Sequence, residues 1–209
     1  MINRNYLCSL ELIAFDDNVM KYGADMLKIR LEKIIKDINY AASQRKYPVR
    51  SFNMGGRLVF MTQGDDDETL SDFLDFLFDY NKQAILFGYP HKGVLLLQEQ
   101  TMMSGNGVEV VNSKALIESV IRLGKQNVAG ISTDADLFER KKDIMGRYFS
   151  FFDGFILLNL IRHKLADIAL SGMTSSVESN FAKIGIRDSF CGFANLKENV
   201  CRFLREQNK

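Results

Sequence analysis

Residues 48–63 read PVRSFNMGGRLVFMTQ. Two arms rich in β-branched and aromatic residues flank Gly55 and Gly56. Paired glycines supply the backbone freedom that tight turns use, so the stretch predicts a β-hairpin. Its neighbours decide the fold. Upstream, YLCSLELIAF at 6–15 predicts a buried central strand, and Asp16, Asp17 and Asn18 predict a helix cap after it. Met20, Ala24, Met26, Leu27, Leu31, Ile34, Ile35 and Ile38 recur at helical spacing and predict an amphipathic helix over 18–43. Downstream, GDDDE at 64–68 predicts a solvated helix start, with acids at the positive end of the helix dipole. Leu70, Phe73, Leu74, Leu77, Phe78 and Ile85 predict a second helix ending near Gly88, and KGVLLLQEQ at 92–100 predicts another strand.

The order is therefore βαββαβ, the split-βαβ order of a ferredoxin-like α/β (α+β) core. MMSGNGVEV at 102–110 predicts a loop, 110–123 a third helix, and NVAGIST at 127–133 a further strand. These form an extra αβ unit. From about Lys141 the segments around FFDGFILLNLI (151–161) and NLKENVCRFL (195–204) read as helical. Residues 1–140 are thus expected to form the core domain, and 141–209 a helical C-terminal extension packed on it.

Composition excludes several classes. Lys plus Arg number 27 and Asp plus Glu 26, so no basic excess points to nucleic acid. Cys8, Cys191 and Cys201 are far apart, with no CxxC pair, and His91 and His163 stand alone; this argues against a structural zinc site. An odd cysteine count without a framework fits a reducing cytoplasm. Glu11 interrupts the apolar run near the start, which makes a poor secretory signal. The longest apolar run, FILLNLI at 155–161, is too short to span a bilayer, so no membrane association is expected.

With ELIAF (11–15), NMGGRL (53–58), GYPHKGVLLL (88–97) and VNSKALIES (111–119) in this order, the chain resembles the class III nucleotidyl cyclases. It is most similar to the bacterial branch that makes cyclic pyrimidine nucleotides in antiphage signalling. The resemblance spans 6–138, and FFDGFILLNLI and NLKENVCRFL extend it loosely. It implies that Glu11 takes the place of a metal-binding Asp on the first strand, an oxygen ligand for Mg²⁺ or Mn²⁺. The turn carrying Phe15 would hold phosphates. From the residues alone, Glu11 also reads as a strand-face acid in a salt bridge. Lys92 stands where the resemblance implies a phosphate-contacting cation, and from the residues alone it reads rather as a cap on a strand edge.

Two departures follow from the same correspondence. The second metal carboxylate falls at Gly56, followed by Arg57. In VNSKALIES, Val111, Asn112, Glu118 and Ser119 fit, and Asn112 would orient the ribose. The position of the arginine that steadies charge on the α-phosphate is Leu116, which cannot donate a hydrogen bond. Loss of one such donor typically costs ~10²–10³ in rate. Phe52, on the hairpin, is placed to stack on a base.

Three functions follow. A degenerate cyclase homologue would bind a nucleoside triphosphate weakly or not at all and act through a partner, since the resemblance implies head-to-tail homodimers or pairing with another cyclase-like chain. An active cyclase would yield a 3′,5′-cyclic monophosphate and pyrophosphate, recruiting Asp16 or an acid from 65–67 as second ligand and Lys92 or Arg57 in place of the missing arginine. A ferredoxin-like protein-interaction module would bind no nucleotide, because fold alone licenses no chemistry. A diguanylate-cyclase palm demands acids after the paired glycines, and GGRL lacks them.

Overall fold

The structure is a computed structural model that describes residues 3–54, 56–105, 108–112, 114–184 and 191–209. Strand β1 (Asn3–Leu12) leads into helix α1 (Phe15–Ser43). The hairpin follows as β2 (Arg50–Met54) and β3 (Arg57–Met61), then helix α2 (Asp67–Phe87) and strand β4 (His91–Gly105). After β5 (Val108–Asn112) come helix α3 (Lys114–Lys125) and strand β6 (Gly130–Thr133). Two short helices, α4 (Ala135–Arg140) and α5 (Lys142–Met145), precede strands β7 (Phe149–Phe152) and β8 (Phe155–Leu158). Helices α6 (Asp167–Lys183) and α7 (Cys191–Gln207) complete the fold.

The strands form one sheet in the order β2-β3-β1-β4-β6-β8-β7, with β5 paired to the outer part of β4. The segment β2-β3-β1-β4 is the expected split-βαβ core. Among the described residues only β4 and β6 pair in parallel, joined by the crossover through α3. Residues alternate strictly between the two faces of β1. Tyr6, Cys8, Leu10 and Leu12 join Leu58, Phe60 and the apolar sides of α1 and α2 in the main core. Leu7 faces the other way, with Val59 and Met61. Phe60 anchors the main core, edge-on to Phe76 at 5.0 Å and to Tyr80 at 5.2 Å.

Four local expectations are corrected. Helix α1 begins at Phe15 rather than 18: its N-cap is Ala14, in the left-handed region at φ 53°, and Gly23 breaks the helix at φ 74°. MMSGNGVEV is not a loop. Its flanks are strand, paired Met102 to Val111 and Met103 to Val110, so β4 and β5 form a hairpin. The third helix starts at Lys114, because the β-branched Val108, Val110 and Val111 belong to β5.

The fourth concerns the C-terminal part, which is not helical throughout. Residues 149–158 make a hairpin that adds β7 and β8 to the sheet, and the helical part begins at Asp167. The cause lies in FFDGF: Asp153 and Gly154 turn with φ of 51° and 83°, the two-residue Asp-Gly turn that matches strand twist. A Cβ at Gly154 would meet nothing within 4 Å, so its penalty is conformational alone. Gly154→Val is accordingly expected to cost about 1–2 kcal/mol, measured by denaturant unfolding.

Helices α6 and α7 pack on the body through a second apolar cluster, in which Val177, Phe181, Val200 and Leu204 meet Ile13, Ile85 and Leu157. Among the described residues no helix is long and apolar enough to cross a membrane.

Candidate functional site

The site forms where β1 ends. Glu11 lies on the central strand, paired in register with Arg57 of β3 on one side and Lys92 of β4 on the other. Cross-strand neighbours on one face are close enough for their side chains to interact. The Glu11 carboxylate indeed has Arg57 Nη2 and Lys92 Nζ each at 4.0 Å. A cleft of about 910 Å³ opens over these three residues. It continues along the turn after β1 and the start of α1 (Leu12–Asp17), the end of α3 and the loop after it (Gly124–Asn127), and Asn195 and Leu196 of α7.

Each wall has a local cause. Leu12 N–H donates to Gly56 O at 2.8 Å and Ile13 N–H to Pro90 O at 3.0 Å, so the turn after β1 is tied to both neighbouring connections. Lys92 donates to Leu123 O at 2.9 Å, a cation on the last turn of α3, where free carbonyls collect negative charge. Buried Gln126 donates to Val128 O and Gly130 O, both at 2.8 Å, and accepts from Ser132 Oγ; this fixes the loop into β6. Asn199 Nδ2 donates to Asn127 O at 2.8 Å and holds α7 against the same loop.

Five of the residues singled out in the sequence line this cleft: Glu11, Phe15, Asp16, Arg57 and Lys92. Phe15 is only 8% exposed and packs near Tyr89, so it serves chiefly as a core ring. Phe52 lies elsewhere, packed against the cluster of Leu7, Val59 and Met61. Leu116, which the resemblance puts in the arginine's place, packs on that same cluster and is engaged with the sheet. Asn112 ends β5 opposite Thr101, nine residues along β4 from Lys92. At about 3.4 Å per residue that separation is ~30 Å, so Glu11 and Asn112 stand far apart along β4. The Asn112 side chain lies outside the described residues.

The acids at 65–67 are likewise remote. Asp65 O accepts from Tyr6 OH, and Tyr6 is five residues along β1 from Glu11, about 17 Å away. Asp66 caps α2, accepting from Thr69 N at 2.8 Å, and Asp67 pairs with Lys141 at 2.7 Å. An acid from this turn therefore does not complete a metal site at Glu11 in the same chain. Lys125, Gln126, Asn127, Asn195 and Leu196 were not singled out in the sequence. The basic end of α3 was the one available signal, and nothing local marks α7 as a cleft wall.

The resemblance implies paired Mg²⁺ or Mn²⁺, and the residues present do not fit such a pair. The resemblance puts the second carboxylate at Gly56, and a Cβ there would lie 3.0 Å from Phe15 Cδ1. The one acid on the strand is flanked by two cations. A divalent ion placed 4 Å from each would meet repulsion of roughly 1 kcal/mol per unit charge in water-like surroundings, and about 4 at an effective dielectric of 20. Among the described residues no group of three or more His, Cys, Asp or Glu could hold a metal ion.

No family model and no curated protein matches the chain. Solved structures do. A dimeric guanylyl cyclase domain from the fungus Blastocladiella emersonii superposes with TM-score 0.60 at 10% identity, covering 76% of this chain and 95% of that one. The guanylate cyclase domain from Catenaria anguillulae, in complex with GTP, gives 0.57 at 9% identity, covering 74% and 93%. The catalytic core of a rhodopsin-guanylyl cyclase with converted specificity, bound to ATPαS, gives 0.58 at 10% identity, covering 76% and 97%. The chain has the fold of class III nucleotidyl cyclase catalytic domains. About a quarter of its length lies outside each superposition.

Proposed function

We propose that this chain is a cyclase homologue with a degenerate site: it binds a nucleoside triphosphate without cyclising it and acts through a second cyclase-like chain. The observation that carries the reading is Glu11, held between Arg57 and Lys92, with glycine where the second acid belongs. Leu116 adds to it, since a transition-state donor is replaced by a packed aliphatic group. The two losses fall on different catalytic parts, so their penalties at least add.

The separation of Glu11 and Asn112 supports a shared site. One copy cannot bring them together, whereas two copies packed head to tail, or this chain against another cyclase-like chain, can. The resemblance to the pyrimidine branch extends the proposal to UTP or CTP as ligand and to cytoplasmic antiphage signalling as setting.

The test is direct. Purified protein, concentrated and supplied with Mn²⁺ and each of the four triphosphates in turn, is expected to release no pyrophosphate above background. Product above background establishes the active reading instead. In parallel, triphosphates are expected to raise the melting temperature, and Asn112→Ala to abolish the rise. A flat response to all four favours a protein-interaction module without nucleotide.

A further inference from the structure

We infer that the cleft over Glu11 holds a polyphosphate chain directly on side-chain cations, with no divalent metal between protein and phosphate. This rests on the nucleotide-binding reading above and adds how the phosphates are held.

Three cations line the cleft: Arg57, Lys92 and Lys125. Arg57 contacts Glu11 only at 4.0 Å, and none of its guanidinium N–H groups makes a hydrogen bond among the described residues. A guanidinium with its donors free is the side chain best shaped for bidentate grip on phosphate oxygens. Lys92 uses one donor on Leu123 O, and its contact with Glu11 is also 4.0 Å. Both ion pairs are loose enough for a stronger anion to take over the cations. Lys125 is exposed on the adjacent wall.

The acids argue the same way. In a metal-bridged site carboxylates attract the ligand through the ion. In this cleft Glu11 is already occupied by cations, and Asp16 and Asp17, exposed on the rim, repel phosphate. The two modes therefore predict opposite signs for removing an acid. Metal ligation by Asp16 requires that Asp16→Asn weaken binding, whereas direct phosphate contact requires that it tighten binding.

The experiment is calorimetric titration of the full chain with UTP, CTP, ATP, GTP and inorganic tripolyphosphate, each with excess Mg²⁺ and with EDTA. Binding in EDTA is expected to equal or exceed binding with Mg²⁺. Arg57→Ala is expected to weaken it by about tenfold or more, the loss of a charged hydrogen-bonding partner. Arg57→Lys should restore part of that loss, and Asp16→Asn should tighten binding. Tripolyphosphate binding as well as the nucleotides supports the phosphate chain as the recognised group. Binding that needs Mg²⁺ and is weakened by Asp16→Asn overturns the inference and leaves the nucleotide reading standing. Absence of binding in both conditions overturns both.

Discussion

Between pH 6.5 and about 4 the folded protein is expected to lose about 3 kcal/mol of stability through one side chain, His91. The imidazole is fully buried where β4 starts, with its ring 5.5 Å from that of Tyr80. Neither ring nitrogen makes a hydrogen bond of ordinary geometry among the described residues. Burial pushes its pKa from 6.5 down to about 4, and the nearby Tyr89 backbone offsets only part of that. The neighbouring Tyr80 phenol and Cys8 thiol are pushed upward by the same burial and stay neutral.

The sign follows from proton counting. Below pH 6.5 the unfolded chain takes up a proton on His91 and the folded chain does not, so unfolding is favoured increasingly until the folded imidazole protonates near 4. Stability is therefore complete above 6.5 and falls as the solution is acidified. Denaturant unfolding at a series of pH values measures it, and His91→Phe, which keeps the ring and removes the titration, should flatten the slope. Two exposed acids also titrate but in a lower window. Thr69 hydrogen bonds hold Asp66 below 3.8, and the Tyr47 hydroxyl with Lys46 holds Glu68 below 4.5. A slope that survives His91→Phe above pH 5 or so would assign the acid sensitivity elsewhere.

The elements that were legible in the sequence share a property: their signal is local. The hairpin around Gly55-Gly56, the acidic helix start at 64–68 and the apolar spacing of α2 are each written within one element. Misreadings arose where two patterns overlap. VVNSKALIES passes from strand to helix within four residues, and the helical spacing of Ala115, Ser119 and Leu123 extends by eye across Val110 and Val111. FFDGFILL carries a hairpin turn, but its long apolar run also suits a buried helix, and periodicity alone does not separate the two.

The site shows the same divide. Glu11, Arg57 and Lys92 could be named one by one, yet their meeting depends on strand register, which no single segment encodes. That Gly56 carries no acid is plain in the sequence. That Phe15 packs over this glycine and resists an added Cβ is a tertiary fact. The contribution of α7 was invisible for a related reason, because Asn195 and Leu196 reach the cleft from some seventy residues beyond α3.

Removal of residues 191–209 is expected to abolish folding of the remainder, although the solved cyclase domains superpose without about a quarter of the chain. Leu196, Val200, Phe203 and Leu204 of α7 are all buried. At roughly 2 kcal/mol for each side chain brought out of water, their partners lose ~8 kcal/mol, against a total stability of about 5–15 for an ordinary domain. The packing is specific. Phe203 lies 5.1 Å from Phe152, and Arg202 stacks 4.8 Å over the same ring while pairing with Asp153 at 3.2 Å. At the end of the helix Gln207 accepts from Leu160 N at 3.1 Å, and just beyond it Asn208 brackets Leu165 with hydrogen bonds of 2.6 and 3.1 Å. These contacts close the β7–β8 end of the sheet. They also reach Ile13, which sits in the turn that forms the cleft floor. Leu204→Ala is the milder test, expected to cost about 2–5 kcal/mol, and because Ile13 shares its cluster it should weaken ligand binding as well. A truncated chain that still melts cooperatively, within a few degrees of the full one, would show that α7 is an appendage. The cleft would then owe its floor to β1, β3 and β4 alone.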